Sequence, residues 1–223
     1  MRAIITAMVA CALLVLQGAA QADEQLPQVS HDGLHLLKGT KVRAVYMKPG
    51  ADLKEYNKIA LLDTYVAFRK NWQRDHNRDA VGLADRVSDK DMQRIRQELA
   101  AEFRKVFTKE LSEKGGHEVV TTAGSGVLIL RPAIINLDVT APDLMEPGIT
   151  RTFAADAGQM TLYLELYDSK TQDIIARVID PEVVGDDLVH VTNSVTNRAD
   201  VDRLLRRWAD LLNAQLAAVK PAQ

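Results

Sequence analysis

Residues 158–181 read GQMTLYLELYDSKTQDIIARVIDP, and this stretch constrains the fold more than any other. Met160, Leu162, Leu164 and Leu166 alternate with Thr161, Tyr163, Glu165 and Tyr167. That period of two puts the aliphatic side chains on one face of a strand. A second apolar run begins at Ile174. The segment between them, Asp168 to Asp173, is built from residues that bond their own backbone in turns. The stretch is a β-hairpin with an apolar face, and such a face needs a covering layer.

Two amphipathic helices can supply that layer. Ser88 followed three residues later by Asp91 resembles a capping box, with Asp in place of the longer Glu or Gln. Met92, Ile95, Leu99, Phe103, Val106, Phe107 and Leu111 then recur at spacings of three and four. Gly115-Gly116 ends this helix, because glycine accepts the left-handed conformation that closes one. Near the C-terminus Val201, Leu204, Leu205, Trp208, Leu211, Leu212 and Leu216 form a second stripe, with Asn197 as its candidate cap. Both stripes are core positions and call for no cofactor.

Further strands are predicted at residues 42–46, 58–68, 117–120 and 127–140. In the last, Pro132 lacks an N–H, so the strand is expected at an edge or with a bulge there. Ala133, Ile135, Leu137 and Val139 are expected to share one face, with Arg131 breaking the phase. The fold class is α+β: a largely antiparallel or mixed sheet packed by two main amphipathic helices. The organisation expected is a signal peptide over 1–22, an extended N-terminal arm over 23–40, one α+β domain over 41–217 and a tail over 218–223. Leu34, Leu36 and Leu37 would dock the arm on the domain. No internal repeat or low-complexity tract is present.

The signal peptide rests on Arg2, an apolar run from Ala3 to Leu16 broken only by Thr6, and the small-x-small site Ala20-Gln21-Ala22. Cleavage is predicted after Ala22. Cys11 is the sole cysteine. Cleavage before it, as in a lipoprotein, would leave almost no apolar segment upstream, so acylation is the weaker alternative. Without the leader the chain has no cysteine, which excludes disulfides, thiolate catalysis and cysteine-held zinc. It then carries 27 basic and 30 acidic side chains, net −3. A dedicated nucleic-acid binder would need a basic excess. The expectation is a periplasmic or secreted protein, with outer-membrane anchoring less favoured.

Catalytic motifs are missing. There is no nucleophile elbow, phosphate loop, H-E-x-x-H or dinucleotide-binding fingerprint. His31 and His35 sit four apart but straddle Gly33 and lack a matching third ligand. Asp168 and Asp173 miss the spacing of a calcium loop and fit turn chemistry, as do Asp186 and Asp187 after Gly185. No cofactor or metal is predicted. Two polar segments remain as contact surfaces. Residues 69–85 (RKNWQRDHNRDAVGLAD), a loop or short helix, carry Arg69, Trp72, Arg74, His76 and Arg78; residues 141–157 form a long loop that carries Arg151.

Four blocks also resemble a known family: AVYMKPGADLKEYNKIALL, VAFRKNWQRD, LELYDSKTQDIIARVIDP and VTNRADVDRLLRRWADLL. Over Val42 to Leu216, in this order, the chain is similar to the exported bacterial proteins and lipoproteins of domain-of-unknown-function family 3313. The resemblance implies export and no established activity. Members often carry a lipobox, from which this sequence departs. At fold level the order of elements resembles periplasmic envelope-assembly domains, those of the curli secretion lipoprotein and of outer-membrane activators of peptidoglycan synthases.

The resulting reading is an exported, envelope-associated protein of non-catalytic binding or assembly function, with a protein or other envelope component as partner. The alternative is a hydrolase of an envelope polymer or lipid using Asp75, His76 or Glu165 as acid and base. A third is a secreted protein whose partner lies outside the cell.

Overall fold

A computed structural model describes residues 26–83, 85–139, 158–183 and 194–218, and over them the α+β expectation holds. The strands are β1 (His35–Leu36), β2 (Ala44–Met47), β3 (Lys58–Leu61), β4 (Tyr65–Phe68), β5 (Glu118–Val119), β6 (Val127–Asp138), β7 (Gln159–Asp168) and β8 (Ile174–Val183). The helices are α1 (Trp72–Asp79), α2 (Asp89–Lys109) and α3 (Ser194–Ala218). The segments expected as a signal peptide with Cys11, as a loop with Arg151 and as a turn at Gly185-Asp186-Asp187, and the C-terminal tail beyond Ala218, lie outside the described residues.

The strands form one mixed sheet of order β1-β2-β8-β7-β6-β3-β5, with β4 also on β6. Pairing is antiparallel from β1 through to β6, and parallel where β3 and β4 meet β6 and where β5 meets β3. Parallel neighbours need a crossover, and α2 lies in the connection from β4 back to β6. The hairpin of β7 and β8 sits inside the sheet. Its turn is held by Asp168 Oδ1, which accepts from the amides of Lys170 (2.8 Å) and Thr171 (2.7 Å).

The capping box at the start of α2 is complete. Ser88 Oγ accepts from the Asp91 amide (3.2 Å) and the Asp91 carboxylate accepts from the Ser88 amide (3.0 Å). At its far end the helix loosens into a π-helical turn, Glu110–Lys114, and Gly116 takes φ +64°. Gly115 is needed for a different reason: a Cβ there would stand 2.2 Å from Asn213 Oδ1 on α3. The even-numbered aliphatics of β7 pack against Ile95, Leu99, Phe103 and Phe107 of α2 and against Val201, Leu205 and Trp208 of α3. Each such side chain contributes about 1.5–3 kcal/mol on burial. Asp180 of β8 anchors α3 by accepting from Trp208 Nε1 (2.8 Å).

Several expectations need correction. The strand predicted over residues 58–68 is two, β3 and β4, interrupted at Leu62, Asp63 and Thr64. β6 is interior, not an edge, and its bulge is not at Pro132. Leu130 C=O accepts from Leu62 N–H, so Pro132, two residues on, faces the same neighbour. Its missing donor falls opposite the gap between β3 and β4, where no strand needs it. The bulge is at Asn136, in left-handed conformation (φ 53°). It shifts the alternation by one residue. Leu128, Leu130 and Ile134 are therefore buried on one side of it, Leu137 and Val139 on the other, while Ala133 and Ile135 are only half-buried. Helix α3 begins at Ser194, which leaves Asn197 inside its first turn instead of capping it.

The opposite face of the sheet is partly covered by residues 26–37. Leu34 is buried with Ala44 and Tyr46. Arg177 of β8 grips Asp32 through both of its terminal nitrogens and donates to Glu165 Oε1 (2.9 Å). No helix among the described residues is long and apolar enough to cross a membrane.

Candidate functional site

The segment from Phe68 to Asp79 turns from strand to helix in three residues. Arg69 N–H donates to Leu137 C=O (2.9 Å), Asn71 adopts φ 63°, and Trp72 N–H donates back to Arg69 C=O (3.2 Å). The predicted loop or short helix is thus α1, set against the C-terminal end of β6.

Trp72 is the pivot, and it is 2% exposed. The expectation of a surface tryptophan is corrected: the indole is core. Its Nε1 donates to Asp138 Oδ1 (3.0 Å) and to Val139 C=O (3.2 Å), so the buried polar atom is satisfied. Its ring stacks on Phe68 (centroids 4.6 Å, 28°) and on His76 (5.2 Å, 21°). The Arg96 guanidinium, from α2, lies 5.5 Å from the Phe68 centroid, within cation–π range. Arg96, Phe68, Trp72 and His76 form one continuous stack.

Charge is arranged around it. Arg69 Nε donates to Asp138 Oδ2 (2.5 Å) and its Nη1 to Asp75 Oδ2 (3.2 Å). Arg74 Nη2 donates to Asp75 Oδ1 (2.9 Å). Arg74 and Arg69 together hold the Asp75 carboxyl below its ordinary range, and Asp138 raises the affinity of Arg69 for its proton. Arg96 is exposed and, among the described residues, forms no ion pair. Three guanidiniums therefore meet two carboxylates.

An open groove with a cavity volume of about 590 Å³ runs here, bounded by β4, the start of α1 and Met92 and Arg96 of α2. Of the residues singled out from the sequence, Arg69, Trp72 and Arg74 line it. His76 extends the stack beyond the lining, with Nε2 3.3 Å from Asp85 C=O. Arg78 points elsewhere and pairs with Asp79 (3.2 Å). Arg151 is outside the described residues. Sequence reasoning missed Tyr65, Phe68 and Arg96. Tyr65 and Phe68 looked like ordinary strand residues, and Arg96 like an ordinary charge beside the α2 stripe.

The groups considered for acid–base work do not converge. Asp75 is engaged by two arginines, and His76 is stacked against Trp72. Glu165 belongs to a separate network with Arg177, Tyr163 and Tyr167. Burial pushes its carboxyl upward, but the Tyr167 hydroxyl and Arg177 outweigh this and hold it below the ordinary value. A group so held is ionised at neutral pH and has no proton to donate.

The family model described as "Protein of unknown function (DUF3313)" matches residues 32–212. No curated protein matches the chain. Among solved structures, the PelC dodecamer from Paraburkholderia phytofirmans aligns with 9% identity over 75% of this chain and 96% of its own, TM-score 0.36. A DUF330 protein from Xanthomonas campestris aligns with 11% identity over 77% and 93%, TM-score 0.35.

Proposed function

The chain belongs to the DUF3313 family of proteins of unknown function, and from that premise we propose that it is an exported, envelope-associated, non-catalytic binding or assembly protein whose ligand surface is the groove beside β4. Export is supported by the pattern of residues 1–22, where Arg2, the apolar run from Ala3 to Leu16 and Ala20-Gln21-Ala22 follow the layout of a signal peptide. The observation that carries the binding reading is the stack of Arg96, Phe68, Trp72 and His76 along an open groove of net positive charge. With Trp72 buried as the support of the stack, the exposed guanidiniums of Arg74 and Arg96 are the groups that suit recognition of an anionic ligand. Binding needs no proton transfer, which agrees with the engagement of Asp75 and Glu165 by arginines. No cofactor enters this reading.

The test has two parts. Intact mass of the mature protein should correspond to a chain beginning at Asp23, and fractionation should place it in the envelope. Envelope extract passed over immobilised wild type and over the Arg74→Glu/Arg96→Glu double variant should then lose at least one retained component in the variant. Equal retention by both would remove the groove from consideration.

A further inference from the structure

The groove is lined by Tyr65, Val66, Ala67 and Phe68, every residue of β4. Successive side chains of a strand point to opposite faces. A cavity touched by four consecutive residues therefore lies along the strand's edge, not over one face. β4 is paired with β6 on one side, and among the described residues no strand pairs with its other side. An unpaired edge presents backbone N–H and C=O groups to whatever fills the groove. Tyr65, 66% exposed, adds an aromatic surface at the start of that edge.

We propose that the groove takes an extended acidic segment of a partner protein as an added strand on β4. The proposal rests on the reading of this groove as the ligand surface and specifies what occupies it. Backbone pairing gives affinity in strand addition, and pockets for alternate side chains give specificity. No carboxylate lines the groove, whereas Arg69, Arg74 and Arg96 do. Arg69 bridges Asp138 and Asp75, and Arg74 pairs with Asp75 through Nε and Nη2, whereas Arg96 forms no ion pair among the described residues. Arg96, with the 70% exposed Arg74 beside it, is therefore the arginine that would meet carboxylates of the incoming strand. The edge spans four residues, about 13 Å at the rise of a strand. The register shift between Val66 and Phe68 comes from the extra residue of β6 at Asn136, so β4 itself stays regular and its four residues set the length that can pair. The occupant is thus a segment of about four to six residues with acidic side chains on one face.

The experiment uses the mature chain and a fluorescent Glu-Val-Glu-Val-Glu-Val peptide. Comparison probes are its Lys-Val counterpart, the same acidic peptide N-methylated at alternate amides, and an oligogalacturonate. The acidic peptide should bind at least about tenfold more tightly than the Lys-Val or N-methylated forms. Amide exchange at residues 65–68 should slow on binding. Arg74→Glu and Arg96→Glu should each weaken the acidic peptide and leave the thermal midpoint in place. Equal binding of the N-methylated peptide would overturn strand addition while leaving an anion-binding groove intact. Oligogalacturonate binding in place of the peptide would assign the groove to a glycan and overturn the proposal. Self-association abolished by Arg96→Glu, without peptide binding, would assign the edge to a second copy. Binding of none of the anionic probes would also overturn it, and equal retention in the extract test would then sink the ligand surface as well.

Discussion

Trp72 has a packing role and a hydrogen-bonding role, and substitutions can separate them. Trp72→Phe keeps an aromatic ring against Phe68 and His76 but leaves Asp138 Oδ1 without the indole donor. We expect a loss of about 1–2 kcal/mol. Trp72→Ala also opens a cavity in the core and should cost about 3–5 kcal/mol. Urea unfolding measures both, and an alanine variant within 1 kcal/mol of wild type, on the order of a surface substitution, would contradict the buried placement. For this reason Arg74 and Arg96, not Trp72, are the positions at which to test binding. Gly115 offers a second test. An alanine there places its Cβ 2.2 Å from Asn213 Oδ1 and 2.6 Å from Leu111 O, and the second contact is backbone. Gly115→Ala should cost about 1–3 kcal/mol, and Asn213→Ala should restore only part of it. A full rescue would mean that the backbone contact yields.

At the scale of elements, α2 was readable because everything that makes it lies within its own length. The cap at Ser88, the apolar spacing and the closing glycines are local, and Ser88→Ala should cost about 1 kcal/mol in the same unfolding measurement. A cost near zero would mean that the reciprocal bonds with Asp91 add nothing beyond tertiary packing. β6 was misread because its phase depends on one residue in a rare backbone state. Alternation counted from Ala133 misplaces that residue, since Asn136 inserts an extra position between Ile135 and Leu137. Asn136→Gly should be tolerated, because glycine reaches positive φ freely. Asn136→Val should cost about 1–2 kcal/mol, since a β-branched residue resists that conformation. The site divides in the same way. Arg69, Trp72 and Arg74 drew notice through their basic and aromatic composition. Trp72's burial did not, because its partner Asp138 lies 66 residues away. Arg96 reaches Phe68 only through the crossover that α2 makes, which no local pattern encodes.

For the whole molecule, the two faces of the sheet should differ in their response to acid. The helix-covered face is held mainly by apolar contacts, with Glu110, 1% exposed, bridged to Lys114 (2.6 Å) and Arg206. The other face holds residues 26–37 through the contact of Asp32 with Arg177. Hydrogen bonds from Arg177 hold the Asp32 carboxyl down at about 2, and Lys114 and Arg206 depress that of Glu110. A depressed carboxyl contributes stability that is fully present above its unfolded value, about 3.9 for Asp. That contribution is lost as pH falls through the folded value. For Asp32 the window runs from about pH 4 down to about 2. Asp32→Asn should therefore lower stability by about 1–2 kcal/mol at neutral pH and flatten the pH dependence within that window. The effect should be local. Amides of Leu34 and Leu36, which bond to Ser30 and Gln28, should exchange faster in Asp32→Asn while those of α2 and α3 keep their protection. Arg177→Ala is the stronger perturbation, because it leaves Glu165 buried without its main cation and should cost about 3–5 kcal/mol. If Asp32→Asn instead loosened the helices to the same degree as residues 26–37, the N-terminal segment would be part of the cooperative core. The acid response would then belong to the molecule as one unit, not to one face of its sheet.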